Sequence, residues 1–66
     1  RLNLNAATPE EITRRIPGIT YRTAKKIKEN QLTQPGERFR SIDQVKAIAP
    51  RVNWDAVEQA NAFFLG

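Results

Sequence analysis

The chain of 66 residues contains no cysteine and no histidine. Without cysteine, neither a disulfide nor a thiolate metal site can staple so short a chain. That absence fits any compartment and selects none. Without histidine, the commonest general acid–base group and the commonest metal ligand are both missing. Long apolar runs are missing as well: the longest is Ala62-Phe63-Phe64-Leu65, far short of the ~20 residues that span a bilayer. No signal-peptide pattern is visible. No segment alternates apolar and polar residues for long enough to read as a strand, so an all-α fold is expected. No low-complexity tract, linker or charge block marks a second domain. A single domain of this size buries only about 60% of its unfolded surface and cannot enclose a large pocket. A cofactor-dependent enzyme is argued against, and no cofactor, metal or small-molecule substrate is expected.

What the chain does have is positive charge. Eleven Lys and Arg stand against seven Asp and Glu, a net charge of +4, with a pI near 10.1. The expected partner is anionic: nucleic acid, a lipid surface or an acidic protein face. The chain starts at Arg1 rather than Met, which reads as a piece of a longer protein.

Cap signals divide the sequence into four short helices. Thr8-Pro9-Glu10-Glu11 combines an N-cap, a proline at the first helical position and a capping-box acid. The helix is expected to run to Arg15 or Ile16, with Ile12 and Ile16 inward, until Pro17-Gly18 stops it. Thr20 caps a second helix from Tyr21 to Asn30, with Ala24 and Ile27 inward. Gln31 to Arg40 reads as a loop whose Leu32 and Phe39 tuck onto the core. Ser41 and Gln44 form a second capping box. The third helix follows, with Ile42, Val45 and Ile48 at helical spacing, and Pro50 ends it. Asn53 caps the fourth helix, whose inward stripe is Val57, Ala60 and Phe64, with Ala56 and Phe63 beside it. Leu2 and Leu4 lie in an ordered lead-in that packs on the helices. The plan is helix, three-residue hairpin, helix, loop, then the same unit again.

The stretch from Ile12 to Lys28 holds six of the eleven basic residues and no acid. Arg22, Lys25 and Lys26 share one helix face by their spacing, and Arg14 and Arg15 close the helix before. The hairpin Pro17-Gly18-Ile19-Thr20 turns the first N–H groups of the second helix outward. Free N–H groups, a backbone without a Cβ at Gly18 and flanking cations together suit a phosphate. The plainer alternatives are a helix–helix turn chosen for its geometry and an ordinary solvated face. Arg14 and Arg15 also complement the dipole at a helix end. Lys28 is free to pair with nearby acids. Tyr21 is read as a partly packed ring before a stacking one, and Trp54 as core or interface rather than ligand. Glu10 with Glu11, and Asp55 with Glu58, are explained by capping and helix solubility rather than by acid–base chemistry.

Ile12-x-x-x-Ile16-Pro17-Gly18-Ile19-Thr20-x-x-x-Ala24-x-x-Ile27 resembles the helix-hairpin-helix motif. The lead-in Leu2-Asn3-Leu4-Asn5-Ala6-Ala7-Thr8-Pro9-Glu10-Glu11 is similar to the opening of the DNA-receptor domain of bacterial competence proteins of the ComEA type. Phe39-Arg40-Ser41-Ile42-Asp43 resembles the start of that family's third helix. The resemblance covers roughly residues 2 to 60. It implies a tandem helix-hairpin-helix domain over 1–66, its first motif about 8–30 and its second about 41–65. It further implies non-enzymatic, sequence-independent binding of double-stranded DNA, as in competence DNA uptake. The family's hairpin amides meet phosphate oxygens across the minor groove. Carried over, the DNA-binding positions are Gly18, Ile19, Thr20 and Tyr21 by backbone and Arg22, Lys25 and Lys26 by side chain. Arg14, Arg15, Arg51 and Asn53 are secondary candidates. A competence-like protein would be membrane-anchored through a segment outside these residues, facing the outside or the periplasm.

The chain departs from the family pattern twice. Thr20 stands at the second hairpin glycine, where its Cβ narrows the approach. The second unit, Ile48-Ala49-Pro50-Arg51-Val52-x-x-x-Ala56, has no glycine, and Pro50 lacks the N–H a phosphate uses. The second hairpin is expected to support the first rather than to clamp phosphate. Two other functions stay open: a protein–protein module on this fold, as in an extrinsic subunit of photosystem II, and an accessory domain of a nuclease or helicase.

Overall fold

In the computed structural model, which describes residues 1–66, Thr8 caps the first helix as its place before Pro9 predicts. Its hydroxyl accepts from the Glu11 N–H at 3.2 Å, and the Glu11 carboxylate accepts from the Thr8 N–H at 2.9 Å. Helix α1 spans Pro9–Arg15. It stops where Pro17 follows and Gly18 takes a φ of +86°, a conformation that side chains resist. Thr20 then caps α2, Tyr21–Gln31, through its hydroxyl to the Thr23 N–H at 3.3 Å. The buried face of α2 carries Ala24 and Ile27, and α1 packs directly against it.

The same plan returns after the loop. Gln44 Oε1 accepts from the Ser41 N–H at 3.3 Å and from the Arg40 N–H at 2.7 Å, opening α3, Ile42–Ile48. Asn53 Oδ1 accepts from the Ala56 N–H at 3.2 Å and opens α4, Trp54–Gln59. The two hairpins close alike, with Ile19 N–H donating to Ile16 O at 3.4 Å and Val52 N–H to Ala49 O at 3.3 Å. Thr8 and Ser41, Ile16 and Ala49, Ile19 and Val52, and Thr20 and Asn53 are each 33 residues apart. In that register the partner of Ala24 is the buried Val57, not the exposed Ala56 that the sequence alignment pairs with it.

The chain is mostly helical, but not all-α as the absence of alternation suggests. Leu2–Asn3 (β1) pairs in parallel with Phe63–Phe64 (β2), Leu2 opposite Phe63. Two residues are too few to show a period of two, so the pair is invisible to a pattern search. It also shortens the expected fourth helix. Asn61 adopts a φ of +53°. The Asn61 N–H turns back to Glu58 O at 2.9 Å and the Ala62 N–H to Val57 O at 3.4 Å, a Schellman ending. Ala60 is therefore exposed, and Phe64 lies on the strand pair rather than on an inward helical stripe.

The loop also departs from expectation. Helix α2 continues through Gln31, and Pro35–Glu37 forms a short 3-10 turn. Phe39 is fully buried as expected, but Leu32 is 65% exposed. Gln31 takes the inward place instead: its amide donates to Asn5 O at 3.0 Å and Glu37 O at 2.9 Å. Asn5 in turn brackets Phe39, donating to its carbonyl at 3.0 Å and accepting from its N–H at 2.8 Å. The core gathers Leu4, Ile12, Ile16, Ile27, Phe39 and Val45, all fully buried, with Leu2 beside them as the lead-in predicts. Trp54 is core as well, its indole N–H donating to Ala49 O at 2.8 Å. No helix is long and apolar enough to cross a membrane.

Candidate functional site

Capping leaves a definite set of backbone donors at the first hairpin. Thr23 N–H is taken by the Thr20 hydroxyl, Ala24 N–H by Thr20 O and Ile19 N–H by Ile16 O. The N–H groups of Gly18, Thr20, Tyr21 and Arg22 have no partner in the protein. Gly18 is exposed, and a Cβ built on it meets nothing within 4 Å. Its glycine identity thus serves the positive φ and leaves the backbone bare to an approaching group. Ile19 contributes no free donor and its side chain is buried, which narrows the expected backbone set.

The two hairpins lie side by side. Gly18, Thr23 and Lys26 from the first half and Pro50, Arg51 and Val52 from the second line one shallow groove of about 490 Å³. A smaller one of about 270 Å³ runs on from Pro17 and Gly18 to Asn53 and α4. Tyr21, Arg22, Lys25 and Lys26, with Glu29, line a third depression of about 390 Å³ along α2. Lys26 belongs to both sides. The structure thereby joins Gly18 to Lys26, Arg51 and Asn53, and joins Tyr21 to Arg22 and Lys25. Arg14 and Arg15 are exposed at the end of α1 and line none of these grooves. Thr23, which lines the main groove and bonds to the Thr20 hydroxyl at 3.2 Å, is absent from the sequence-derived set. Its only sequence signal is its place three residues after an N-cap.

Charge is divided unevenly between the halves. Residues 1–33 carry seven basic and three acidic side chains, and residues 34–66 carry four of each, so the whole +4 lies in the first half. Several cations have internal partners. Lys46 pairs with Glu58 at 3.2 Å, the one ion pair in the chain. Arg38 donates to Gly66 O at 2.8 Å, and Arg1 lies over the Phe64 ring at 5.0 Å. Lys28 meets carbonyls rather than acids: its Nζ donates to Leu4 O at 2.9 Å and Asn5 O at 3.1 Å. Desolvation there lowers its pKa, with Glu11 pulling the other way. Lys28 holds the lead-in and leaves the exposed basic face. Arg14, Arg15, Arg22, Lys25, Lys26, Arg40 and Arg51 have no ion-pair or side-chain hydrogen-bond partner.

The acids supply no competing site. The Glu11 carboxyl is held below the usual carboxylate range by its hydrogen bonds to the Thr8 N–H and hydroxyl, a capping role. Glu58 neutralises Lys46. No group of three or more carboxylates is placed to hold a metal ion. What the arrangement offers is four N–H donors and a bare backbone, set among cations that nothing neutralises. Comparison of the chain with protein-family models, curated proteins and solved structures gave no significant match.

Proposed function

We propose that the chain is a tandem helix-hairpin-helix domain that binds double-stranded DNA through its phosphates, without sequence preference and without catalysis. The observation that carries this reading is the coincidence at the first hairpin. Gly18, whose N–H is free, lines one groove with Lys26 and Arg51, and the free N–H groups of Thr20, Tyr21 and Arg22 follow it at the start of α2. Phosphate oxygens accept from such donors, and the unopposed cations supply the long-range attraction. Arg22 and Lys25 extend the positive face along α2. Contacts to phosphates fix orientation rather than sequence. Resemblance to the competence DNA receptors supports DNA uptake as the setting, with an anchor outside these residues.

A protein–protein module is the second reading, and one observation favours it. The second hairpin, with Arg51 in place of Gly18, joins a half of zero net charge, a surface that needs no polyanion. Duplex affinity measured across salt concentration separates the two. With about four phosphates neutralised, the log–log slope is expected to be about −3 to −4. Scrambled duplexes are expected to bind alike. No binding at low salt, or a flat salt response, leaves the protein–protein reading in place.

A further inference from the structure

Position 21 sets the two halves apart more sharply than any other. Tyr21 and Trp54 both open a capped helix after a proline hairpin. The Trp54 ring is 5% exposed and meets Phe63 edge-on at 6.2 Å. Tyr21 is 48% exposed. It shares a shallow depression with Arg22, Lys25, Lys26 and, at the far end, Glu29; none of the three cations is ion-paired. A half-exposed aromatic ring beside three cations without ion-pair partners is the pairing that single-strand binders use. The ring stacks a base, and the cations follow the backbone. Neither contact needs a base-pairing partner.

The second half offers no matching set. In the 33-residue register, Arg22, Lys25 and Lys26 correspond to Asp55, Glu58 and Gln59. The cation set of α2 therefore has no counterpart on α4. Inside a duplex the base faces are also covered by their neighbours, so away from its ends a duplex offers Tyr21 no stacking partner, whereas unpaired nucleotides do. We infer that the Tyr21 face takes single-stranded DNA, one base stacked on the Tyr21 ring and the flanking phosphates on Arg22, Lys25 and Lys26. The inference rests on the reading of this face as a phosphate-binding surface, and it extends that reading to unpaired strands, overhangs and gaps.

The test compares a labelled oligothymidylate with the dT·dA duplex of the same length, by fluorescence anisotropy at one salt concentration. The single strand is expected to bind at least as tightly as the duplex. Tyr21→Ala is expected to lower single-strand affinity by more than about fivefold, the loss of one base–aromatic stack. It should do so by a clearly larger factor than for the duplex. Tyr21→Phe, which keeps the ring, is expected to bind the single strand like the parent. Circular dichroism confirms that each variant is folded. If the duplex binds and the single strand binds several-fold more weakly, the inference is overturned while the duplex reading stands. Equal losses on both probes in Tyr21→Ala, or no loss on either, overturn it in the same way. If neither probe binds, both readings fall together.

Discussion

Tyr21 and Trp54 stand at equivalent places, and so do Gly18 and Arg51, Arg22 and Asp55, Lys25 and Glu58. In each pair the first-half residue faces solvent with no ion-pair partner, whereas in the second half Trp54 is buried and the exposed Glu58 pairs with Lys46. The helices differ in the same sense. Helix α2 runs for 11 residues and carries the basic face, while α4 stops after 6 at the left-handed Asn61. The position matching Asn61 is Lys28, whose stem continues α2 and whose amine ties down the lead-in. The N–H groups of Arg51, Asn53 and Asp55 are as free as those of Gly18, Thr20 and Arg22, so one plan used twice differs chiefly in charge, in the bare backbone at Gly18 and in the packing of Trp54. Sharing the plan costs little, because capping and hairpin closure depend on a few residues near each turn. Exposed positions between them are free to diverge.

The aromatic pair gives the largest test of that division. Trp54→Ala is expected to cost about 3–5 kcal/mol, enough to unfold much of so small a domain. Tyr21→Ala is expected to change stability by about 0.5 kcal/mol or less. Denaturant unfolding of the two variants reads the difference directly, and similar costs would break the comparison.

Charge comes next. Lys25→Glu together with Lys26→Glu is expected to abolish duplex binding while helical content and melting temperature hold. Building the first half's charge onto the second, Asp55→Arg is expected to tighten binding and to steepen the salt slope by about 0.9, one added phosphate contact. An Asp55→Arg protein with unchanged affinity would show that α4 does not face the bound DNA.

The backbone at the hairpins differs in a way that stability alone can report. Gly18→Val forces a β-branched residue to a φ of +86°, which is expected to cost about 1–3 kcal/mol. No steric clash adds to this, since a Cβ there meets nothing within 4 Å. Its counterpart Arg51 is not in the left-handed region, so Arg51→Val is expected to stay within about 0.5 kcal/mol. Equal costs would mean that the two hairpins share one backbone requirement.

The smallest effect is a titration. Both helix starts carry a capping box, but Glu11 ionises and Gln44 does not. The folded Glu11 pKa lies below its ordinary value of 4.5. The stability it adds is therefore present above about pH 4.5 and is lost as pH falls through the lower folded value. The melting-temperature gap between the parent and Glu11→Gln is expected to close over that range. A gap independent of pH would assign the cap to hydrogen bonding without charge.

Local signals made the helices and the exposed basic residues legible. Thr8, Thr20, Asn53 and the prolines act within a few residues of themselves, so their sequence neighbours suffice to place each helix start. The chain ends were not legible for the opposite reason. The pairing of Leu2 with Phe63 and the Asn5 bracket around Phe39 join residues far apart in sequence. Neither leaves a periodic trace. Polar residues doing packing work were equally hidden: Gln31 takes the inward place that hydrophobicity assigns to Leu32. At the candidate site, Gly18, Lys25 and Lys26 were readable one by one. That Arg51 would line the same groove as Gly18 depends on how the two hairpins lie against each other, which no local spacing encodes.

The central claim is that the first hairpin makes the main phosphate contact and the second a lesser one. Amide NMR shifts during titration with a short duplex address it residue by residue. The account predicts the largest shifts at Gly18, Thr20, Tyr21 and Arg22, where free N–H groups adjoin the unpaired cations of α2, with smaller changes from Arg51 to Trp54. Shifts at the second hairpin equal to or larger than those at the first would contradict it.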